Sequence, residues 1–200
     1  RPIILAGQGV IQSGAMRELL EFAERIQAPI AMTLLGLGGV PASHRLNLGM
    51  MGMHGEAWVN HAIQEADLLM AFGMRFDDRV TGNAGTYAPN AKKLHVDIDP
   101  SEIDKNVKVD VPIVGDLKRV LTKLNKQVAP TTHAEWIQHI DELKRDHPSL
   151  DIRETGKLLP QYIIKQLWEA TEGKALIVTG VGQHQMWAAQ HYVFTEPRSL

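Results

Sequence analysis

The chain has 200 residues, 44% of them apolar and 22% charged, a balance that supports a buried core inside an ordinary water-facing surface. Lys and Arg number 21 against 23 Asp and Glu, a formal net charge of −2, which leaves no electrostatic footprint for nucleic acid or an anionic membrane. With no cysteine, disulfides and thiolate metal sites are excluded, and no apolar run approaches the roughly 20 residues that cross a bilayer.

Pro2–Ala6 is a short apolar run and predicts a strand rather than a signal peptide; lacking an initiator Met, the sequence is expected to be cut from something longer. Gly7-Gln-Gly9 breaks the strand, and Ser13 predicts the N-cap of a helix through about Gln27, with Met16, Leu19, Leu20, Ala23 and Ile26 on its buried face. Pro29–Thr33 is a second strand. Leu34–Met53 is a glycine-rich loop too long for a mere connector. A helix over Gly55–Ala66 leads to a third strand, Asp67–Phe72, then to a second long loop, Met74–Asn90. Lys92–Ile98 and Val109–Val114 are the fourth and fifth strands, and Leu117–Val128 is a helix. A linker starts at Ala129; it holds a helix over His133–His147 and a polar extended stretch, Asp151–Lys157. Leu158–Glu172 is amphipathic and feeds an apolar stretch, Ala175–Thr179, expected to be a buried parallel strand.

Strands of near-continuous apolar residues alternating with helices predict an α/β fold, a parallel sheet covered on both faces. The expected division is a complete unit over residues 1–128, a linker with a helix over 129–157, and the start of a second α/β unit over 158–200.

Ligands of open parallel sheets bind beyond the carboxyl ends of the strands. Here those ends carry Gly7-Gln-Gly9, Thr33-Leu-Leu35, Gly73-Met-Arg75, Asp97-Ile-Asp99 and Gly115-Asp116. Such a set suits a large, extended, polar ligand such as a dinucleotide. A nicotinamide cofactor fits poorly. The first turn spaces its glycines as Gly7, Gly9 and Gly14, and the second strand ends in Thr33 where an acid would hold the ribose. In Gly73-Met-Arg-Phe-Asp-Asp-Arg-Val-Thr-Gly82, Arg75 and Arg79 can fork onto phosphate or carboxylate; a self-neutralising ion cluster bracing a loop is the alternative. Leu48-Gly-Met-Met-Gly-Met-His-Gly55 offers an adaptable apolar wall for a flat ring, or ordinary core packing. Asp97-x-Asp99 is explained more simply by a strand end before Pro100 than by a metal. Gly180 and Gly182 break the chain after Thr179, and a helix starts near His184, an arrangement that brings backbone N–H groups to an anion.

Taken together, Gly73–Gly82, Gly52-Met-His-Gly55 and Gly180-Val-Gly-Gln-His-Gln-Met-Trp-Ala-Ala-Gln190 resemble the catalytic large subunit of the acetolactate synthase (acetohydroxyacid synthase) family of thiamine diphosphate enzymes. The resemblance covers the whole chain. It implies a Rossmann-like central FAD-binding domain followed by the truncated start of the C-terminal thiamine diphosphate-binding domain. It implies that Gly7, Gln8 and Gly9 approach FAD, that Thr33, Leu34 and Leu35 line it, and that Met51, Gly52, Met53 and His54 pack on it. Gly73, Arg75, Asp77 and Val80 would serve its phosphate and sugar portions, and Asp97, Ile98, Gly115 and Asp116 its adenosine end. Arg79 would face the carboxylate of the acceptor 2-keto acid, Met53 would border the substrate channel, and Val181, Gly182, Gln183 and His184 would bind the thiamine diphosphate tail. Met74 departs from the smaller residue usual in the family.

The implied reaction is the decarboxylating condensation of pyruvate with pyruvate or 2-ketobutyrate, for branched-chain amino-acid biosynthesis. FAD is structural there, and Mg2+ and thiamine diphosphate are completed by regions absent from this chain, so the 200 residues alone are expected to be inactive. The implied partners are 2-keto acids, further copies of the large subunit and a regulatory small subunit, with no nucleic acid and no membrane. The implied location is the cytoplasm, or a plastid for a protein with a transit peptide. Glyoxylate carboligase, pyruvate oxidase and a non-catalytic nucleotide-binding module are the alternatives.

Overall fold

A computed structural model describes all residues, Arg1–Leu200. Six parallel strands form one sheet: β1 Pro2–Ala6, β2 Ile30–Met32, β3 Asn47–Met50, β4 Leu68–Phe72, β5 Lys92–Asp97 and β6 Val111–Val114. Their order across the sheet is β3-β2-β1-β4-β5-β6, so the direction of winding reverses between β1 and β4, as in doubly wound nucleotide-binding sheets. The expected α/β class holds, with one strand more than the sequence suggests. β3 lies inside the long loop after the second strand. It pairs with β2 across a bulge between Ile30 and Ala31, and only Leu48 and Met50 of its four residues are buried. A short outer strand with Gly49 at φ +94° carries too little apolar pattern to stand out.

Alternation along the strands sorts the core into two layers. Ile4 and Ala6 pack with α2 (Met16–Ile26) and α5 (Leu117–Gln127) on one face. Ile3 and Leu5 face α3 (Ala57–Glu65) and α6 (Ala134–Asp146) on the other. Each fully buried Ile or Leu contributes about 1.5–3 kcal/mol relative to exposure. α6 falls in the segment read as a linker, yet its Trp136, Ile140 and Leu143 are buried in the same layer as Ile3 and Leu5. The Trp136 indole N–H donates to the carbonyl of Pro2 at 3.0 Å, which ties α6 to the start of β1.

Two local expectations fail. The helix after β1 is interrupted: α1 runs only Gln8–Gln12 and α2 starts at Met16. Ser13 ends α1 instead of capping α2, because its hydroxyl finds the Gly9 carbonyl at 2.7 Å, one turn back. Ala175–Thr179 is not a strand. No neighbouring strand pairs with it, Leu176 and Val178 stand exposed, and the Ile177 N–H reaches only the Ser199 carbonyl, at 2.8 Å. A parallel strand is buried by what flanks it, and nothing within the chain flanks this one. The last elements are α7 (Pro160–Ala170) and α8 (Gln183–His191). No helix is long and apolar enough to cross a membrane.

Candidate functional site

A cleft of about 600 Å3 opens at the carboxyl edge of the sheet, within the size range of small-molecule sites. Five strand exits line it. β1 supplies Gln8 and Gly9, β2 supplies Thr33, Leu34 and Leu35, and β4 supplies Gly73 and Arg75. β5 supplies Asp97 and Ile98, and β6 supplies Gly115 and Asp116. Asp77, Arg79 and Val80 complete one wall from α4 (Asp78–Thr81). Met74 lines the cleft too, and so do Gln12, Ser13, Val96 and Leu117, which the sequence did not place at a ligand. The break that ends α1 brings Gln12 and Ser13 there, and only a correct reading of that break could have found them.

The glycines of the first turn serve packing. A Cβ on Gly7 would fall 2.3 Å from the Gly73 carbonyl oxygen and 2.5 Å from Met74 Cβ. Gly7 is buried and does not line the cleft, unlike Gly9 two residues on. Gly9 both meets Gly73 and lines the cleft.

The two arginines stay available. Arg75 lies 3.6 Å from Asp77, and Arg79 lies 3.8 Å from Asp78, with the guanidinium-bearing side chains 66% and 70% exposed. Pairs this long and wet are worth at most about 1 kcal/mol, so they do not lock the arginines away from an incoming anion. The aspartates do local work: Asp77 accepts from the Val80 N–H and caps α4, and Asp116 accepts from the Arg119 N–H and caps α5. Asp97 accepts from the Asp99 N–H at 2.9 Å. Ser101 N–H bonds hold the Asp99 carboxyl below its ordinary range. Leu35 and Ile98 are exposed apolar side chains on the cleft, 53% and 72% open, a feature that ring-shaped ligands exploit.

The methionine loop sits beside this cleft and does not line it. Met51 is buried in the core. Gly52 packs on the Arg79 backbone, and the Met53 N–H donates to the Arg79 carbonyl at 2.8 Å. The Met53 sulfur is 3.8 Å from an Arg79 nitrogen, with the Met53 side chain exposed. Thus Met53 and Arg79 form a pair at the rim. The His54 side chain is not among the cleft residues; its carbonyl accepts from the Gln190 side chain of α8 at 2.7 Å. Two residues on, Glu56 precedes α3 and is buried with its carboxyl against Gly49 of β3, and desolvation pushes that carboxyl up to about 7 despite backbone N–H groups and Lys144 nearby.

Val181, Gly182, Gln183 and His184 lie apart from the cleft at the start of α8, with Val181 almost fully exposed. The first turn of that helix leaves N–H groups without intrahelical acceptors, a suitable end for an anion. No group of three or more His, Asp or Glu side chains converges on a metal-sized space. A second hollow, of about 630 Å3, lies around Arg1, Trp136 and His139. It collects no carboxyl strand ends, and its His139 is already paired with Glu65 at 2.6 Å.

The profile described as "Thiamine pyrophosphate enzyme, central domain" matches residues 1–124, the segment that builds the sheet and the cleft. The chain belongs to the thiamine pyrophosphate enzyme central-domain family. Curated relatives match the whole chain, beyond the segment that the profile covers. The chain is 45% identical to "Acetolactate synthase" of Mycobacterium bovis over 100% of its length and 33% of that protein. It is 42% identical to "Acetolactate synthase large subunit" of Haemophilus influenzae over 99% of the chain and 36% of that protein. It is 44% identical to "Acetolactate synthase 2, chloroplastic" of Zea mays over 99% of the chain and 32% of that protein. The chain therefore spans about a third of the length of the curated relatives it matches.

Proposed function

We propose that this chain is the central, FAD-binding section of an acetolactate synthase large subunit, which condenses two 2-keto acids with loss of carbon dioxide. The observation that carries the reading is the cleft. Five strand exits, two uncommitted arginines and the exposed Leu35 and Ile98 meet there, in a chain about 45% identical to proteins named for that activity. Arg75 offers paired donors to the FAD pyrophosphate, and Gly9 brings backbone close to it. Asp97 and Asp116 face the sugar and adenine end, while Leu35 and Ile98 give the rings an apolar wall. Arg79, placed at the rim with Met53, receives the carboxylate of the acceptor keto acid.

Val181–His184 hold one end of thiamine diphosphate at the start of α8, and Mg2+ and the rest of that cofactor are held by other parts of the full-length protein. Thiamine diphosphate supplies the electron sink for decarboxylation, and the protein supplies orientation. The protein works with further large subunits and a regulatory small subunit, in the cytoplasm or a plastid.

The test is to purify the full-length protein and measure flavin absorbance and acetolactate formation from pyruvate. Retained FAD together with acetolactate supports the reading. A flavin-free protein that makes no acetolactate when given FAD, thiamine diphosphate and Mg2+ rejects it, and turnover of glyoxylate in place of pyruvate reassigns it to a sister enzyme.

A further inference from the structure

His95 sits in the middle of β5, between Ala71 of β4 and Pro112 of β6, with no exposed surface. Its Nε2 lies 2.8 Å from the Met74 carbonyl oxygen. A carbonyl only accepts, so Nε2 carries the proton and donates. Nδ1 is buried without a partner, and the ring packs edge-on to Phe76 with centroids 5.1 Å apart. A bare ring nitrogen in an apolar layer is costly, so apolar packing alone would favour Leu or Phe at this position.

A second side chain grips the same stretch of backbone. Asn106, from the loop before β6, donates through Nδ2 to the Phe76 carbonyl at 2.9 Å. Met74 and Phe76 are buried, and between them Arg75 points outward. The carbonyls on both sides of Arg75 are therefore held from within by side-chain donors. Without them the stretch after β4 is fixed only at Gly73, whose N–H donates to Val96 and whose carbonyl accepts from Gly9.

We propose that His95 is a positioning residue for the cleft: with Asn106 it clamps the two carbonyls flanking Arg75 and presets that guanidinium for the diphosphate of a bound nucleotide. The inference rests on the nucleotide reading of the cleft. His95 touches no ligand. Its effect passes through the Met74 carbonyl to the direction of Arg75, so it is felt by anionic ligands and not by the uncharged part of the nucleotide.

The experiment titrates the full-length protein, stripped of any bound flavin, with ADP and with adenosine by calorimetry, in the parent and in His95→Leu, His95→Gln and Asn106→Ala. Asn106 is exposed, so its variant folds even where His95→Leu does not. We expect His95→Leu and Asn106→Ala each to weaken ADP about fivefold, the factor carried by one net hydrogen bond, and to leave adenosine within about twofold. His95→Gln, which keeps a donor, recovers most of the loss. ADP affinity unchanged in Asn106→Ala and in folded His95→Leu would overturn the clamp, as would parallel losses for ADP and adenosine. Failure of the parent to bind either ligand overturns the nucleotide reading itself, a result distinct from a parent that binds and variants that do not differ.

Discussion

Gly9 and Gly73 meet backbone to backbone: a Cβ on Gly9 would lie 2.6 Å from Gly73 Cα, and one on Gly73 would lie 2.7 Å from Gly9 Cα. The Gly9 N–H donates to the Gly73 carbonyl at 2.9 Å. These turns leave β1 and β4, the neighbours between which the winding reverses, so their contact sets the floor of the cleft. Gly73 also has φ +57°, a left-handed conformation that side chains resist.

Gly73→Ala should therefore cost about 2 kcal/mol or more, adding left-handed strain to a backbone collision. Urea denaturation followed by tryptophan fluorescence measures it. A change below about 0.5 kcal/mol, the usual scatter of harmless surface substitutions, would show that the turn relaxes freely.

Glu56 predicts a pH dependence with a definite sign. Its ordinary value is 4.5 and burial raises it to about 7 in the folded chain. Below 4.5 the carboxyl is protonated folded and unfolded, and its burial is tolerated. As pH rises from 4.5 through 7 that stability is lost, by roughly 3 kcal/mol in all. Glu56→Gln should be more stable than the parent at pH 8, with the advantage vanishing near pH 4.5. Paired thermal melts across that range check it, and a difference independent of pH would contradict the assignment.

Arg75 and Arg79 are expected to separate by phenotype under the proposed function. Arg75→Ala should lower FAD affinity by about 10- to 100-fold, the worth of a charge-assisted forked contact. Arg79→Ala should retain flavin and raise KM for the acceptor keto acid by a similar factor. Flavin content and steady-state kinetics on the full-length protein read both, and identical defects in the two variants would refute the division of roles.

How much of this was legible beforehand depends on how the physics is encoded. Pro2–Ala6 and Leu68–Phe72 are buried on both faces and announce themselves as continuous apolar runs. The strand-exit residues followed directly, since a parallel sheet delivers its carboxyl ends to one edge; Thr33 and Arg75 do share a cleft. β3 did not show, because an outer strand with Gly49 has half a pattern. Ser13 misled because a hydroxyl near a glycine suits a helix end as well as a helix start. The Gly7 packing role, the orphaned Nδ1 of His95 and the burial of Glu56 are properties of distant neighbours, invisible in local spacing.

Trp136→Ala should destabilise the fold by about 3–5 kcal/mol, the usual cost of emptying a buried aromatic site, and should also free the Pro2 carbonyl. Chemical denaturation measures it, and a loss under about 1 kcal/mol would mean that α6 rides on the surface.

That helix has a practical corollary for anyone borrowing this unit by itself. A clone ending at residue 128 would remove α6 and leave α3 alone on that side of the sheet, opening the layer of Ile3, Leu5 and Leu69 to solvent and inviting aggregation. An excision that keeps this cover runs to Asp146, because the polypeptide returns after its last strand to roof over its first.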